Sequence, residues 1–274
     1  MRTILISVSV LLCASFSYAQ KNISKTINTK LGQGINFNFD RADVNFTTWD
    51  KNEISITGTA KINNGENDDA FTIKIEKYDD VWNIRTFLKN ECDLPKMISM
   101  TKDGVTSYLR VDKKNGWNNS SAEGVQYDQV SIGIITEIKL EVKVPQDVKL
   151  MAMAKFGDID IENFTGELHL KTTHGHINAI FPNPIKNNVS IASTHNFVDV
   201  SILSSSRLNV DLKSSHGEML TDLDLEFPEF VTRKKKNARS SSSKNRIIAN
   251  LNGGGANLYL KATHNNVYLR EYKR

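Results

Sequence analysis

The chain has 274 residues, 39% hydrophobic and 24% charged, with a net charge of only +4. That suits one elongated domain or two small ones, and the charge bias is too weak to mark a polyanion partner by itself. Five prolines and strand-like alternation along the whole length make all-β the expected class, and no run after the N-terminus is long and apolar enough for a transmembrane helix.

Residues 1–19 read as a signal peptide. Arg2 supplies the positive start, the stretch from Ile4 to Leu12 the apolar centre, and Ser17-Tyr18-Ala19 the small-x-small cleavage site. The mature chain is expected to begin at Gln20. Cys13 sits where a lipoprotein cysteine would, but Leu12 precedes it, where that signal wants Gly, Ala or Ser, so a lipid anchor is the weaker reading. Cleavage leaves one cysteine, Cys92, and therefore no internal disulfide. With Asn90, Glu91 and Asp93 around it, nothing favours a thiolate, and a half-buried free thiol is expected.

From Ile35 the chain alternates. Ile35, Phe37 and Phe39 share one face, Arg41 and Ala42 make a corner, and Val44 and Phe46 follow. Strands are expected at Ile54–Ile56, Phe71–Ile75 and Val81–Leu88, then one at 105–111 within a polar stretch, a loop at 116–124, and a long strand over 132–144. The reading divides residues 20–145, an N-terminal β-sheet portion, from 146–274, a repeat region, within one continuous domain.

The repeat is strand, corner, strand. The residue before each corner is Phe156, His174, His195, His216 or His264, and the corner residue is Gly157, Gly175, Asn196, Gly217 or Asn265. Gly and Asn tolerate positive φ, so a sharp bend is expected at each. Apolar residues stand four and six before the corner slot and three and five after it (Thr221 the one exception), with small residues two before. Both strands of a unit thus bury one face. A unit of about twenty residues cannot cover that face alone, so neighbours must stack, which predicts a β-solenoid or β-helix-like stack with a flared N-terminal sheet. The interval from His216 to His264 fits two turns plus a loop better than one turn. Inside it, residues 233–246 carry seven bases and no acid and read as an exposed loop.

Candidate chemistry is sparse. His174, His195, His216 and His264 would form a column with one imidazole per turn. Zinc wants three or four ligands converging on one ion, and no acid recurs beside the slot. The slot shares the parity of the inward residues and accepts Phe156, so a partly buried, neutral imidazole in a structural role is expected. A metal-binding His ladder is the alternative. A β-helix carbohydrate-active enzyme would need a column of acids. The outward positions after the corners (Asp158, His176, Phe197, Glu218, Asn266) supply none, and no enzyme is expected. Gly253-Gly254-Gly255 lacks the Lys-Ser/Thr of a phosphate loop. Arg233, Lys234, Lys235, Lys236 and Arg239 are candidate polyanion contacts without aromatic interleaving, so nucleic acid is not the expected partner.

The stretch from Lys143 to Ala179, with Val144-Pro145, Gly157-Asp158-Ile159 and Gly175-His176-Ile177, resembles the bacterial "putative adhesin" family of β-strand-repeat domains of unknown function. Leu251 to Arg270 is similar to that family's closing turn, and Phe37 to Gly58 to its opening. His at the slot and Asn at two corners depart from the pattern. The resemblance implies an exported, β-helix-like fold and brings no catalytic residue and no cofactor. The function expected is an exported, non-catalytic cell-envelope module, periplasmic, surface-bound or secreted, that binds or scaffolds. Its partner would be an envelope glycan, an anionic surface or another envelope protein.

Overall fold

The structure, a computed structural model, describes residues 20–30, 32–111, 126–227 and 245–273. The expected signal peptide, the 116–124 loop, and Arg233, Lys234, Lys235, Lys236 and Arg239 lie outside the described residues.

The strands are β1 (Lys21–Asn28), β2 (Gly34–Arg41), β3 (Asp43–Trp49), β4 (Glu53–Ile62), β5 (Phe71–Tyr78), β6 (Val81–Leu88), β7 (Met97–Lys102), β8 (Val105–Arg110), β9 (Gln129–Gly133), β10 (Thr136–Pro145) and β11 (Lys149–Phe156). They continue as β12 (Ile159–Glu162), β13 (Glu167–Thr172), β14 (Ile177–Phe181), β15 (Val189–Ser193), β16 (Val198–Ile202), β17 (Leu208–Ser214), β18 (Met219–Thr221), β19 (Arg246–Leu251), β20 (Ala256–Ala262) and β21 (Val267–Glu271). The fold is all-β. Three single-turn 3-10 segments are its only helical pieces among the described residues.

Two nine-stranded sheets enclose one core. The first runs β1-β4-β10-β3-β12-β14-β16-β21-β18, the second β19-β17-β20-β15-β13-β11-β2-β6-β5. A small third sheet, β8-β7-β9, stands apart. In the middle of both large sheets every pairing is parallel and in register. Ala154 faces Thr172, Thr172 faces Ser193, Ser193 faces Ala262, and Ala262 faces Ser214. The unit at Arg41 belongs to the same array, since Phe156 pairs with Arg41 and Ile159 with Val44.

The inward columns explain why the units stack. Ile35, Leu150, Leu168, Val189, Leu258 and Val210 form one, all at 2% exposure or less. The two largest inward side chains of β2 meet small neighbours. Phe37 and Phe39 stack at 5.3 Å and face Ala152 and Ala154 on the next strand. Parallel sheets usually carry continuous apolar runs because both faces are covered. Here only one face is covered, so the strands alternate in sequence.

The sheets are mixed, which departs from a continuous coil. β1, β4 and β10 pair antiparallel at one end of the first sheet, and β5 with β6 at one end of the second. At the other end β19 pairs antiparallel with β17. The interval from His216 to His264 therefore holds no extra turn among its described residues. It holds one antiparallel edge strand, after which β20 and β21 pass back between units already laid down. β20 lies between β15 and β17, and β21 between β16 and β18. The spatial order of corner slots is 41, 156, 174, 195, 264, 216. The strand expected over 132–144 is two, β9 and β10. Arg246, expected in the exposed loop, opens β19, and its guanidinium holds both oxygens of Asp211 at 2.8 and 2.6 Å.

Candidate functional site: the corner column and the face beside it

Each corner is built by backbone contact between neighbouring units. A Cβ on Gly157 would lie 2.2 Å from the Ala42 carbonyl oxygen, and one on Gly175 would lie 1.7 Å from that of Gly157. Gly157 has φ of +124°, but Gly175, Gly217, Asn196 and Asn265 do not adopt positive φ. The expectation that all five corners need a left-handed backbone is corrected. Close approach, more than φ, selects glycine. The two Asn corners differ in that each side-chain oxygen accepts the next backbone N–H, Phe197 at 2.9 Å and Asn266 at 2.8 Å.

The small residues two before the slot have a second task that their size alone did not reveal. The Ser193 hydroxyl donates to the Gly175 carbonyl at 3.0 Å and accepts from the Asn196 N–H at 3.2 Å. Ser214 does the same for Asn265 and Gly217, and Thr172 donates to Gly175. The Ser193 and Ser214 hydroxyls thus tie a corner to its neighbour, and the Thr172 hydroxyl braces its own.

The corner slots form one continuous stack. Ring centroids are 4.8 Å apart from Phe156 to His174, 4.6 Å from His174 to His195, 5.0 Å from His195 to His264 and 5.0 Å from His264 to His216, with planes within 6° of parallel. The Arg41 guanidinium lies 5.3 Å from the Phe156 ring centroid and closes that end. All four histidines are exposed and Phe156 is half-buried, so the expected partly buried slot is corrected. At each histidine the strand ends two residues before the slot, and the bend that follows breaks the parity from which burial was read. Here the imidazoles cover each other's faces and present their edges to solvent.

That geometry bears on metals. Stacked imidazoles direct their in-plane lone pairs side by side, whereas an ion needs nitrogens converging at about 2.0–2.1 Å. Among the described residues no three His, Cys, Asp or Glu side chains gather to hold an ion. A second, shorter column lies past the corner. Asp158 bonds the His176 ring at 2.8 Å, and His176 stacks on Phe197 at 4.8 Å. Cys92 is exposed, not half-buried.

The outer face of the second sheet was missed in the sequence, because its row is assembled from seven separate segments. Three residues before the slots, in register across all nine strands, stand Lys74, Arg85, Asn38, Met153, Lys171, Ala192, Lys261, Lys213 and Arg246. Six of the nine are basic and none is acidic. Lys74 is paired with Glu76 at 2.8 Å, and Arg246 with Asp211. Two rows further back on the same outer face, Glu167 accepts from His169 at 3.0 Å and lies 3.1 Å from Lys149. The His169 bond, then Lys149, holds its carboxyl below the usual range.

The family Toastrack DUF4097 matches residues 98–254. The chain belongs to this family. A crystal structure of a "putative cell adhesion protein" from Clostridium sporogenes is similar in fold, with a TM-score of 0.54 over 93% of this chain and 100% of that one, at 11% identity. No curated protein matches. Toastrack domains are of unknown function, which agrees with the resemblance read from the sequence. Among the described residues no helix is long and apolar enough to cross a membrane.

Proposed function

We propose that the protein is an exported, non-catalytic module of the cell envelope that binds or scaffolds through the outer surface of a β-solenoid-like stack. The observation that carries this reading is the surface array itself. Neighbouring units put like side chains in register: four imidazoles along one corner, with hydroxyls at Thr173, Thr194, Thr263 and Ser215 beside them. Such an array offers many equivalent contacts along a line, which suits an extended partner. Catalysis needs different groups converging on one reacting atom. The adhesion name of the Clostridium sporogenes protein supports the same direction.

Export rests on residues 1–19. The test is fractionation of cells carrying a C-terminally tagged chain, with N-terminal sequencing of the product and binding of the purified product to isolated envelopes. The expected result is a chain beginning at Gln20, outside the cytoplasm, that sediments with envelopes. A full-length cytoplasmic chain, or no envelope binding, would overturn the proposal.

A further inference from the structure

We infer that the basic row on the outer face of the second sheet is a binding track for a linear anionic polysaccharide. The inference rests on the binding reading above and names its surface and ligand class.

The row is costly to the fold by itself. Like charges directly opposite each other on neighbouring strands repel. Lys213 faces Lys261, Lys213 also faces Arg246, and Lys74 faces Arg85. Glu76 relieves Lys74 and Asp211 relieves Arg246. Lys171, Lys213 and Lys261 have no acidic partner among the described residues. The lysine stems lie on the solvent side, so the core does not require them. A row of positive charge that the fold does not need and neutralises only at its two ends is complementary to a row of negative charge.

The spacing specifies a line. Strands about 4.8 Å apart put nine positions over about 38 Å. Two residues along each strand the hydroxyls of Thr173, Thr194, Thr263 and Ser215 make a second row, and the imidazole edges a third. A hydroxyl row and imidazole nitrogens can bond sugar hydroxyls while the lysines pair with charged groups on the same chain. Nucleic acid fits less well, because base stacking needs a free aromatic face and these rings cover each other. A lipid surface fits less well, because the exposed large apolar side chains of this face, Tyr78, Phe87, Met151, Met153 and Ile248, lie scattered over β5, β6, β11 and β19 and form no single patch.

The experiment is equilibrium binding of labelled alginate to the mature chain at low and high salt. Neutral dextran, polyphosphate and phosphatidylglycerol vesicles run in parallel. The test variant is Lys171→Gln/Lys213→Gln/Lys261→Gln. The control is Lys25→Gln/Lys139→Gln, exposed on the first sheet. The expected result is saturable, salt-weakened alginate binding that falls at least tenfold in the triple variant and stays unchanged in the control, with none to dextran. Absent alginate binding, equal loss in both variants, no loss in the triple variant, or binding confined to vesicles or polyphosphate would each overturn it. If the chain still sediments with envelopes in those cases, this inference fails alone; if it does not, the binding reading fails with it.

Discussion

Substituting Gly175 by Ala should be among the most damaging single-methyl changes in the molecule. The added Cβ would stand 1.7 Å from the Gly157 carbonyl oxygen and 2.4 Å from its carbon. Ordinary carbon–oxygen contact begins at about 3.3 Å, so the two units must part by about 1.6 Å. Four hydrogen bonds cross that gap. Thr173 N–H donates to Ala154 O at 3.0 Å, His174 to Lys155 O at 3.1 Å, Ile159 to His176 O at 3.1 Å, and His176 to the Asp158 carboxylate at 2.8 Å. All would leave hydrogen-bond range. At about 1 kcal/mol each, and with some relaxation, the cost is about 3–4 kcal/mol. For a domain of this size that is a fall of roughly 6–16 °C in Tm. Asn196→Gly, which loses one bond to the Phe197 N–H, should cost only about 1 kcal/mol. Urea unfolding of wild type and both variants measures the difference. A cost below 1 kcal/mol for Gly175→Ala would refute the close-approach account of the corners.

Four further outcomes follow from the same structure. His195→Ala removes a ring held between two others and should cost about 1 kcal/mol, while His195→Phe should be nearly neutral, both read from the thermal midpoint. Calorimetry of the chelator-stripped protein with zinc should show no one-site micromolar isotherm, and a saturable one lost in His195→Phe would contradict the stacked geometry. Glu167, held low by His169 and Lys149, contributes stability above its unfolded pKa of about 4.3 that is lost as pH falls through its lower folded value. Because the pair is largely exposed, Glu167→Gln should remove only a few tenths of a kcal/mol from the acid-induced loss, read as urea midpoints at pH 6 and pH 2. Finally, deleting residues 233–246 should cost about 1–3 kcal/mol more than deleting 233–244. The two extra residues carry the Arg246–Asp211 pair and the bonds of Asn245 to Ser214 and Ser215.

The sequence carries the units and their register plainly, because period-two alternation names the buried face of every strand. All five slots from Phe156 to His264, and the earlier one at Arg41, align as read. Alternation does not name a strand's neighbour. β20 offers Leu258 and Leu260 to its inward columns, and those pack as well between β15 and β17 as beyond them, so the inserted order was illegible. Parity also fails across a bend. His195 follows buried Ser193 by two residues, yet the strand stops at Ser193 and the ring turns out. The basic row escaped notice for the same reason as the order. Lys171, Lys213 and Lys261 are 42 and 48 residues apart in sequence and become a line only once their strands are laid side by side.

The continuous column and the basic row both depend on the C-terminal unit lying between the units at His195 and His216. Disulfide trapping tests this directly. In a Cys92→Ser background, His195→Cys/His264→Cys places the pair on adjacent strands about 4.8 Å apart, within reach of a disulfide. His195→Cys/His216→Cys places it about 9.6 Å apart, beyond reach. Mild oxidation followed by thiol counting and non-reducing gels should show an intramolecular bridge in the first pair and free thiols in the second. A bridge in the second and none in the first would mean the units stack in sequence order, and the surface described here would not exist.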